Sequence, residues 1–140
     1  MKIEATVVPT VERLAFLPKL FGVEFMMRAE AMLYNYAGQF APDSYKGGIW
    51  DFYTLSNGGG YAAPRTPEQL NLNVDGNGFE GDMSADAAGI VFTMFVLNQL
   101  CYEAYQKDAS LTEKLSGHYH QLRDFAKHHK EASSIFRAID

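Results

Sequence analysis

The sequence predicts an α+β fold, a small three-stranded antiparallel sheet packed among about four helices, in one domain spanning residues 1–140. Three observations carry this expectation. Asn57-Gly58 is a strong hairpin signal and follows a run rich in aromatic residues. Leu70, Leu72 and Val74 alternate with Asn71 and Asn73, the period of a half-buried strand. Elsewhere apolar residues recur at spacings of three and four, as on helices that bury one face.

In chain order, Thr10 after Pro9 is the cap of a short first helix, with Val11, Leu14, Ala15 and Leu17 on one face and Pro18 as its end. A longer helix starts after Gly22, with Phe25, Met26, Ala29, Met32, Leu33 and Tyr36 inward, Gly38 as its stop and Glu24–Arg28 as a surface pair. Residues 49–55 and 61–63 form a hairpin through Asn57-Gly58. Residues 70–74 supply the third strand, and residues 79–83 could add a fourth. Ser84 caps a helix that is apolar nearly all round to Ala104, and Asp86 in its first turn complements the helix dipole. A last amphipathic helix covers 111–129 through Leu115, Tyr119, Leu122, Phe125 and Ala126, before Ser133-Ser134 interrupts it.

A chain of 140 residues, 47% hydrophobic and 21% charged, has material for one core and is not a disordered tract. No unbroken run reaches the roughly 18 apolar residues of a membrane helix. The N-terminus lacks the pattern of a secretory signal. Cys101 is the single cysteine, so no internal disulfide exists and a reducing, cytoplasmic location is expected. Net charge is −5. Residues 66–106 contain Glu68, Asp75, Glu80, Asp82, Asp86 and Glu103 and no Lys or Arg, leaving +1 for the remainder. Clustered basic residues for phosphate are missing there, so strong nucleic-acid binding is not expected. The acids are also too sparse to imitate a duplex. They suit an acidic surface for a protein partner.

Chemical motifs give little. From Asp75 to Asp86 the chain invites comparison with a calcium loop, but Phe79 stands at the fifth position and Glu80 at the sixth, where an oxygen ligand and a turn glycine are needed. Gly76-x-Gly78-x-x-Gly81 has dinucleotide spacing without its βαβ setting. His120, Asp124 and His128 repeat at i, i+4 and i+8 and could ligate a metal, though a solvated helix face explains them as simply. Cys101 has no basic neighbour in sequence to activate it. No nucleophile, base and oxyanion donor assemble, so no enzyme and no cofactor are expected. Trp50 and Phe52 share one face of their strand, expected to be core, while Asp51 and Tyr53 share the other.

Three blocks resemble the ArdB/KlcA antirestriction proteins. They are Arg13-Leu14-Ala15-Phe16-Leu17-Pro18-Lys19-Leu20-Phe21-Gly22, then Gly47-Gly48-Ile49-Trp50-Asp51-Phe52-Tyr53-Thr54-Leu55-Ser56-Asn57-Gly58-Gly59, then residues 74–90 beginning Val74-Asp75-Gly76-Asn77-Gly78-Phe79-Glu80-Gly81-Asp82. Gly60 stands where the resemblance would place an aromatic. The resemblance implies carriage on mobile elements, protection of incoming DNA from type I restriction, and no enzymatic activity. It implies as partner the type I restriction–modification enzyme complex, engaged at the cleavage or translocation step. The polar and aromatic residues of the blocks, Arg13, Asp51, Tyr53, Asn57, Asp75, Asn77, Glu80 and Asp82, are the expected contact residues, with the terminal Asp140 added. The alternatives are a small metal-dependent enzyme using His120, Asp124 and His128, and a DNA-binding accessory protein.

Overall fold

The computed structural model of the chain describes residues 2–140. Its elements are β1 (Ala5–Val7), a 3₁₀ turn (Thr10–Glu12), α1 (Arg13–Phe21), α2 (Met26–Phe40), β2 (Trp50–Leu55), β3 (Gly60–Pro64), β4 (Leu70–Val74), a second 3₁₀ turn (Asp75–Asn77), β5 (Phe79–Met83), α3 (Ala85–Ala104), α4 (Ala109–Ala126) and α5 (Ala132–Ile139). The fold is α+β, as the periodicities predict. A three-stranded antiparallel sheet exists, in the order β1-β2-β3, and β4-β5 is a separate two-stranded hairpin. The third strand of the sheet is therefore the N-terminal β1 rather than residues 70–74, which pair with residues 79–83 instead.

The reason lies on α3. Its hydroxyl-bearing Thr93, fully buried, accepts the backbone N–H of Ala62 at 3.1 Å and donates to the Ala62 carbonyl at 3.3 Å. The second edge of β3 is thus closed by a helix, and no strand can add there. Helix and strand meet this closely because residue 89 is glycine: a Cβ at Gly89 would lie 2.3 Å from Ala63 Cβ and 2.5 Å from the Ala62 carbonyl oxygen. Every residue of β3 is buried. Around this seam Ile90, Val91, Phe92, Leu97 and Leu100 are wholly enclosed, covered by β3, α2, α4 and α5. Although α3 runs on through Asn98 and Gln99 and is long and apolar enough to cross a bilayer, 67% of that window is buried inside the fold. It is the core helix.

Local signals place most remaining elements. At the β2–β3 turn, Leu55 N–H donates to Gly59 at 2.9 Å and Gly58 sits at φ +96°, a conformation that favours glycine. Ser84 caps α3 by accepting from Ala87 N–H at 3.1 Å, and Asp108 caps α4 through Leu111 N–H at 3.0 Å. Trp50 and Phe52 face the core, 3% and 9% exposed.

Six expectations about boundaries, faces and pairs are corrected. Pro18 lies inside α1 rather than ending it; the hydrogen bond it forgoes is the one to Leu14, on the solvent side, where the freed carbonyl stays hydrated. The same helix buries Phe16, Leu17, Leu20 and Phe21 and leaves Val11 and Leu14 about nine-tenths exposed, because Phe16 stacks on Phe52 with ring centres 4.5 Å apart. Helix α2 passes Gly38 to Phe40, whose ring packs on Phe95 at 4.9 Å, and Arg28 pairs with Glu103 across 75 residues rather than with Glu24. Helix α4 ends at Ala126, and Ser133 and Ser134 lie within α5.

Two substitutions separate the parts of the α3–β3 seam. Gly89→Ala forces the helix off the strand and is expected to cost about 2–3 kcal/mol or more by overpacking. Thr93→Val keeps the shape but strands the Ala62 backbone groups, costing roughly 1–3 kcal/mol. Urea unfolding of both variants checks this.

Candidate interaction surface

The β4–β5 hairpin divides its residues by the period of two. Leu70, Leu72, Val74, Phe79 and Met83 are buried, while Asn71, Asn73, Glu80 and Asp82 are exposed on the opposite face. Register sets Asn71 opposite Asp82 and Asn73 opposite Glu80, and the Asn71 amide donates to Asp82 at 2.9 Å. The turn is pinned from below: Asn77 Nδ2 donates to the Ala138 carbonyl at 2.7 Å. Ser44 Oγ accepts the Asn71 N–H at 3.0 Å, fastening β4 to the segment after α2. Phe79 lies under the Arg137 guanidinium, 5.4 Å from its ring centre. The outcome is a backbone held on three sides that presents Asp75, Glu80 and Asp82 to solvent. Among the described residues, none of these three carboxylates has a cationic partner.

The other expected contact residues serve the fold to different degrees. Arg13 Nη2 donates to the Trp50 carbonyl at 2.8 Å and its guanidinium lies over Phe52 at 4.3 Å. Asp51 accepts from Arg65 at 2.7 Å. Tyr53 stacks on Tyr61 with centres 4.8 Å apart. Asn57 donates to the Gln121 carbonyl at 2.9 Å, and the Gln121 amide returns a bond to Asn57 at 2.8 Å. Asp140 is exposed, 3.8 Å from Arg123. Asp75, Asn77, Glu80 and Asp82 come together on the hairpin, while Arg13, Asp51 and Tyr53 lie on the sheet and Asn57 at its turn. His120 and Asp124 stand on α4, but the helix ends before His128, which sits in the following turn, so the i+8 register is broken. Among the described residues no three His, Cys, Asp or Glu side chains converge as metal ligands would.

A polar cluster escaped the sequence reading. Tyr61 Oη donates to Asp86 Oδ1 at 2.6 Å, and His129 Nε2 lies 2.8 Å from Asp86 Oδ2. The His129 Nδ1 accepts the Glu131 N–H at 2.9 Å, so the neutral ring carries its proton on Nε2 and donates it to Asp86. Glu131 in turn accepts the N–H and the hydroxyl of Ser84. Burial alone would raise the Asp86 carboxyl. Hydrogen bonds from His129 and Tyr61, with the nearby Lys130 charge, outweigh it and hold the group below its ordinary value. Burial and the Asp86 bond push the Tyr61 phenol up. Ser84 and Asp86 are visible in sequence as cap and first-turn acid. Nothing local links them to His129, 43 residues away.

Comparison with known proteins now decides the family. The model of the antirestriction protein family matches residues 43–140. An antirestriction protein KlcA of Escherichia coli is 51% identical over 141 residues, covering 99% of this chain and 94% of that protein. The chain belongs to the antirestriction protein family. A second Escherichia coli antirestriction protein KlcA is 49% identical over 138 residues, covering 99% of this chain and 95% of its own length. A solved structure, 46% identical, superposes with a TM-score of 0.89 and covers 100% of this chain and 96% of that one. It comes from the KlcA and ArdB proteins, which show a novel fold and antirestriction activity against type I DNA restriction systems in vivo but not in vitro. In this antirestriction fold, block 74–90 forms the hairpin turn, β5 and the start of α3, so it contributes both the acidic face and the Asp86 cluster.

The depressed Asp86 value fixes a pH dependence. A carboxylate more acidic when folded contributes stability above its unfolded value, near pH 4, and loses that contribution as pH falls through its folded value. Asp86→Asn is expected to lower stability at neutral pH and to flatten the acid limb of the stability profile below about pH 4. Thermal unfolding from pH 7 to pH 2.5 measures both.

Proposed function

We propose that this protein shields mobile-element DNA from type I restriction in the cytoplasm by binding the restriction–modification enzyme complex. The engaged step is cleavage or translocation, and methylation proceeds. The contact surface is the outward face of the β4–β5 hairpin, with Asp75, Glu80 and Asp82 meeting a basic surface of the enzyme. One observation carries this choice: three carboxylates on a braced hairpin with no cationic neighbour to satisfy them. Such a surface steers an oppositely charged partner and sets its orientation more than it sets raw affinity.

Three carboxylates do not reproduce a duplex, which presents a charge about every 1.7 Å of its axis. Contact is therefore by local charge pairing with protein rather than by imitation of DNA. Binding, not catalysis, is the activity proposed, since the cluster around Asp86 spends its hydrogen-bonding capacity internally. Of the block residues, Arg13, Asp51, Tyr53 and Asn57 hold the scaffold under this reading, and Asn77 fixes the turn. Asp140, exposed at the end of α5, is a peripheral contact.

The relatives act in vivo but not in vitro, so the test belongs in cells. Unmodified phage is plated on a host with an active type I system, with and without the protein, and surviving phage is scored for modification. Restored plating with modification intact is expected. The double variant Glu80→Lys/Asp82→Lys should return plating to the unprotected level while its stability stays within about 0.5 kcal/mol, as for other surface changes. Full protection by that variant would move the interface elsewhere, and unchanged plating with the wild-type protein present would overturn the function itself.

A further inference from the structure

The outer edges of the two sheets are closed or guarded with one exception. Thr93 closes β3, and Ser44 closes β4 by taking the Asn71 N–H on its Oγ. Since Asn71 turns its backbone outward, Asp82 opposite it does so too, and by the alternation of the ladder so does Glu80. The outer edge of β5 therefore carries charge, which discourages strand addition. At the end of the order β1-β2-β3, β1 has neither device. Ser56 N–H donates to the Glu4 carbonyl at 2.9 Å and Val8 N–H to the Phe52 carbonyl at 2.8 Å. Residues 4, 6 and 8 thus face β2, and Ala5 and Val7 turn their N–H and C=O groups outward. Among the described residues nothing beyond the sheet takes these four groups. All of β1 is exposed, and no residue between Glu4 and Glu12 is charged.

An open trough of about 460 Å³ lies against this edge, between β1 and α1. Phe16 forms its floor, with Thr6, Val11 and Ala15 around it. Val8 is opposite Phe52, which stacks on Phe16, so Thr6 two residues earlier points to the same side. Glu12 and Lys19 border the trough, one of each sign, so charge selects no occupant. Backbone chemistry does. Outward N–H and C=O groups at every second residue are matched by another extended backbone. A helix has spent the same groups internally, and a small apolar ligand has none. A second copy of this chain, joined through all four groups, would set one Thr6 against the other. That places a short polar side chain in an apolar trough.

We propose that β1 is a strand-addition site for an extended segment of another protein. The segment pairs antiparallel, as the rest of the sheet does, and its residues opposite Ala5 and Val7 exchange N–H···O=C bonds with them. The residue between those two stands opposite Thr6, shares its face and puts a large apolar side chain into the trough. The acidic face of the hairpin takes no part, so either contact can fail without the other.

The probe is a short synthetic peptide, blocked at both ends, with a central leucine flanked by threonines. Three related peptides accompany it. One has serine in place of the leucine, one is N-methylated at the two flanking threonines, and one is N-methylated at the leucine. Binding is followed on the intact protein by amide shifts and hydrogen exchange. The leucine peptide is expected to bind saturably and to slow exchange of the Ala5 and Val7 amides. Methylation of the flanking threonines removes the N–H groups that face β1 and should abolish binding. Methylation of the leucine removes one that points away and should leave binding nearly unchanged. The serine peptide should bind about tenfold more weakly, as loss of a buried apolar side chain does. Val7→Pro removes an outward N–H from an edge strand, where proline is tolerated, and should weaken binding about fivefold or more. Val11→Asp, at a wall position that is 91% exposed, should weaken the leucine peptide more than the serine one. Binding kept by the peptide methylated at its threonines overturns the proposal. So does slowed exchange at Glu80 and Asp82 in place of Ala5 and Val7, which would put the peptide on β5. Concentration-dependent dimers in sedimentation, abolished by Val7→Pro, would give the edge to a second copy and overturn it as well.

Discussion

The seam between α3 and β3 sets the layout of the molecule. For a threonine hydroxyl to serve both the N–H and the carbonyl of one strand residue, the helix must approach the strand closely. Here Gly89 permits that approach and Thr93 uses it. The small side chains Ala62 and Ala63 complete the fit, which is why β3 reads as a poor strand in composition yet lies at the centre of the fold. Because the helix takes the second edge of β3, the sheet can grow only on its other side, where β1 adds. The strand that follows β3 must then find another partner, and β5 is the next extended segment along the chain.

An isolated two-stranded hairpin is marginal in water. This one persists because it is fastened to what surrounds it. Its inward apolar residues join the common core, Asn77 ties its turn to the end of α5, and Ser44 ties β4 to the segment after α2. Helix α5 is itself positioned by the cluster at Asp86. His129 leaves the line of α4 to reach that carboxylate, and Glu131 reaches the cap of α3, so the chain turns there and α5 packs back on β5. The acidic face is thus rigid through a series of contacts that begins in the core.

What could be read from the sequence follows the range of the interactions. The Asn57-Gly58 turn, the alternation at 70–74, the Ser84 cap and the inward face of Trp50 and Phe52 each depend on residues a few positions apart, and each is legible. Which strand joins the sheet is not, because it depends on a threonine 31 residues from the edge it satisfies. The buried face of α1 was misread for a similar reason: Val11 and Leu14 match the helical period as well as Phe16 does, and only the Phe52 ring across the sheet selects among them. His129 carries no local signal because its acceptor, Asp86, lies on another helix. Of the candidate surface, the acidic character of residues 66–106 was visible. The separation of carboxylates with a basic or histidine partner from those without was not: Glu103 meets Arg28 and Asp86 meets His129, while among the described residues Asp75 and Glu80 have no side-chain partner and Asp82 meets only the Asn71 amide.

That separation is the premise of the proposed contact with the restriction–modification enzyme complex. Most polar residues in the family-like blocks are occupied: Asn57 and Asn77 in cross-links, Arg13 and Asp51 in pairings that hold the sheet. Arg13, Asn57 and Asn77 cannot turn toward a partner without releasing a part-buried bond, at a cost comparable to what a new contact would return. The surfaces left free are of two kinds, hairpin carboxylates without a cationic partner and, at the open edge of β1, an apolar trough beside α1. Charge chiefly governs encounter and orientation, whereas desolvated apolar anchors chiefly govern how long a complex lasts.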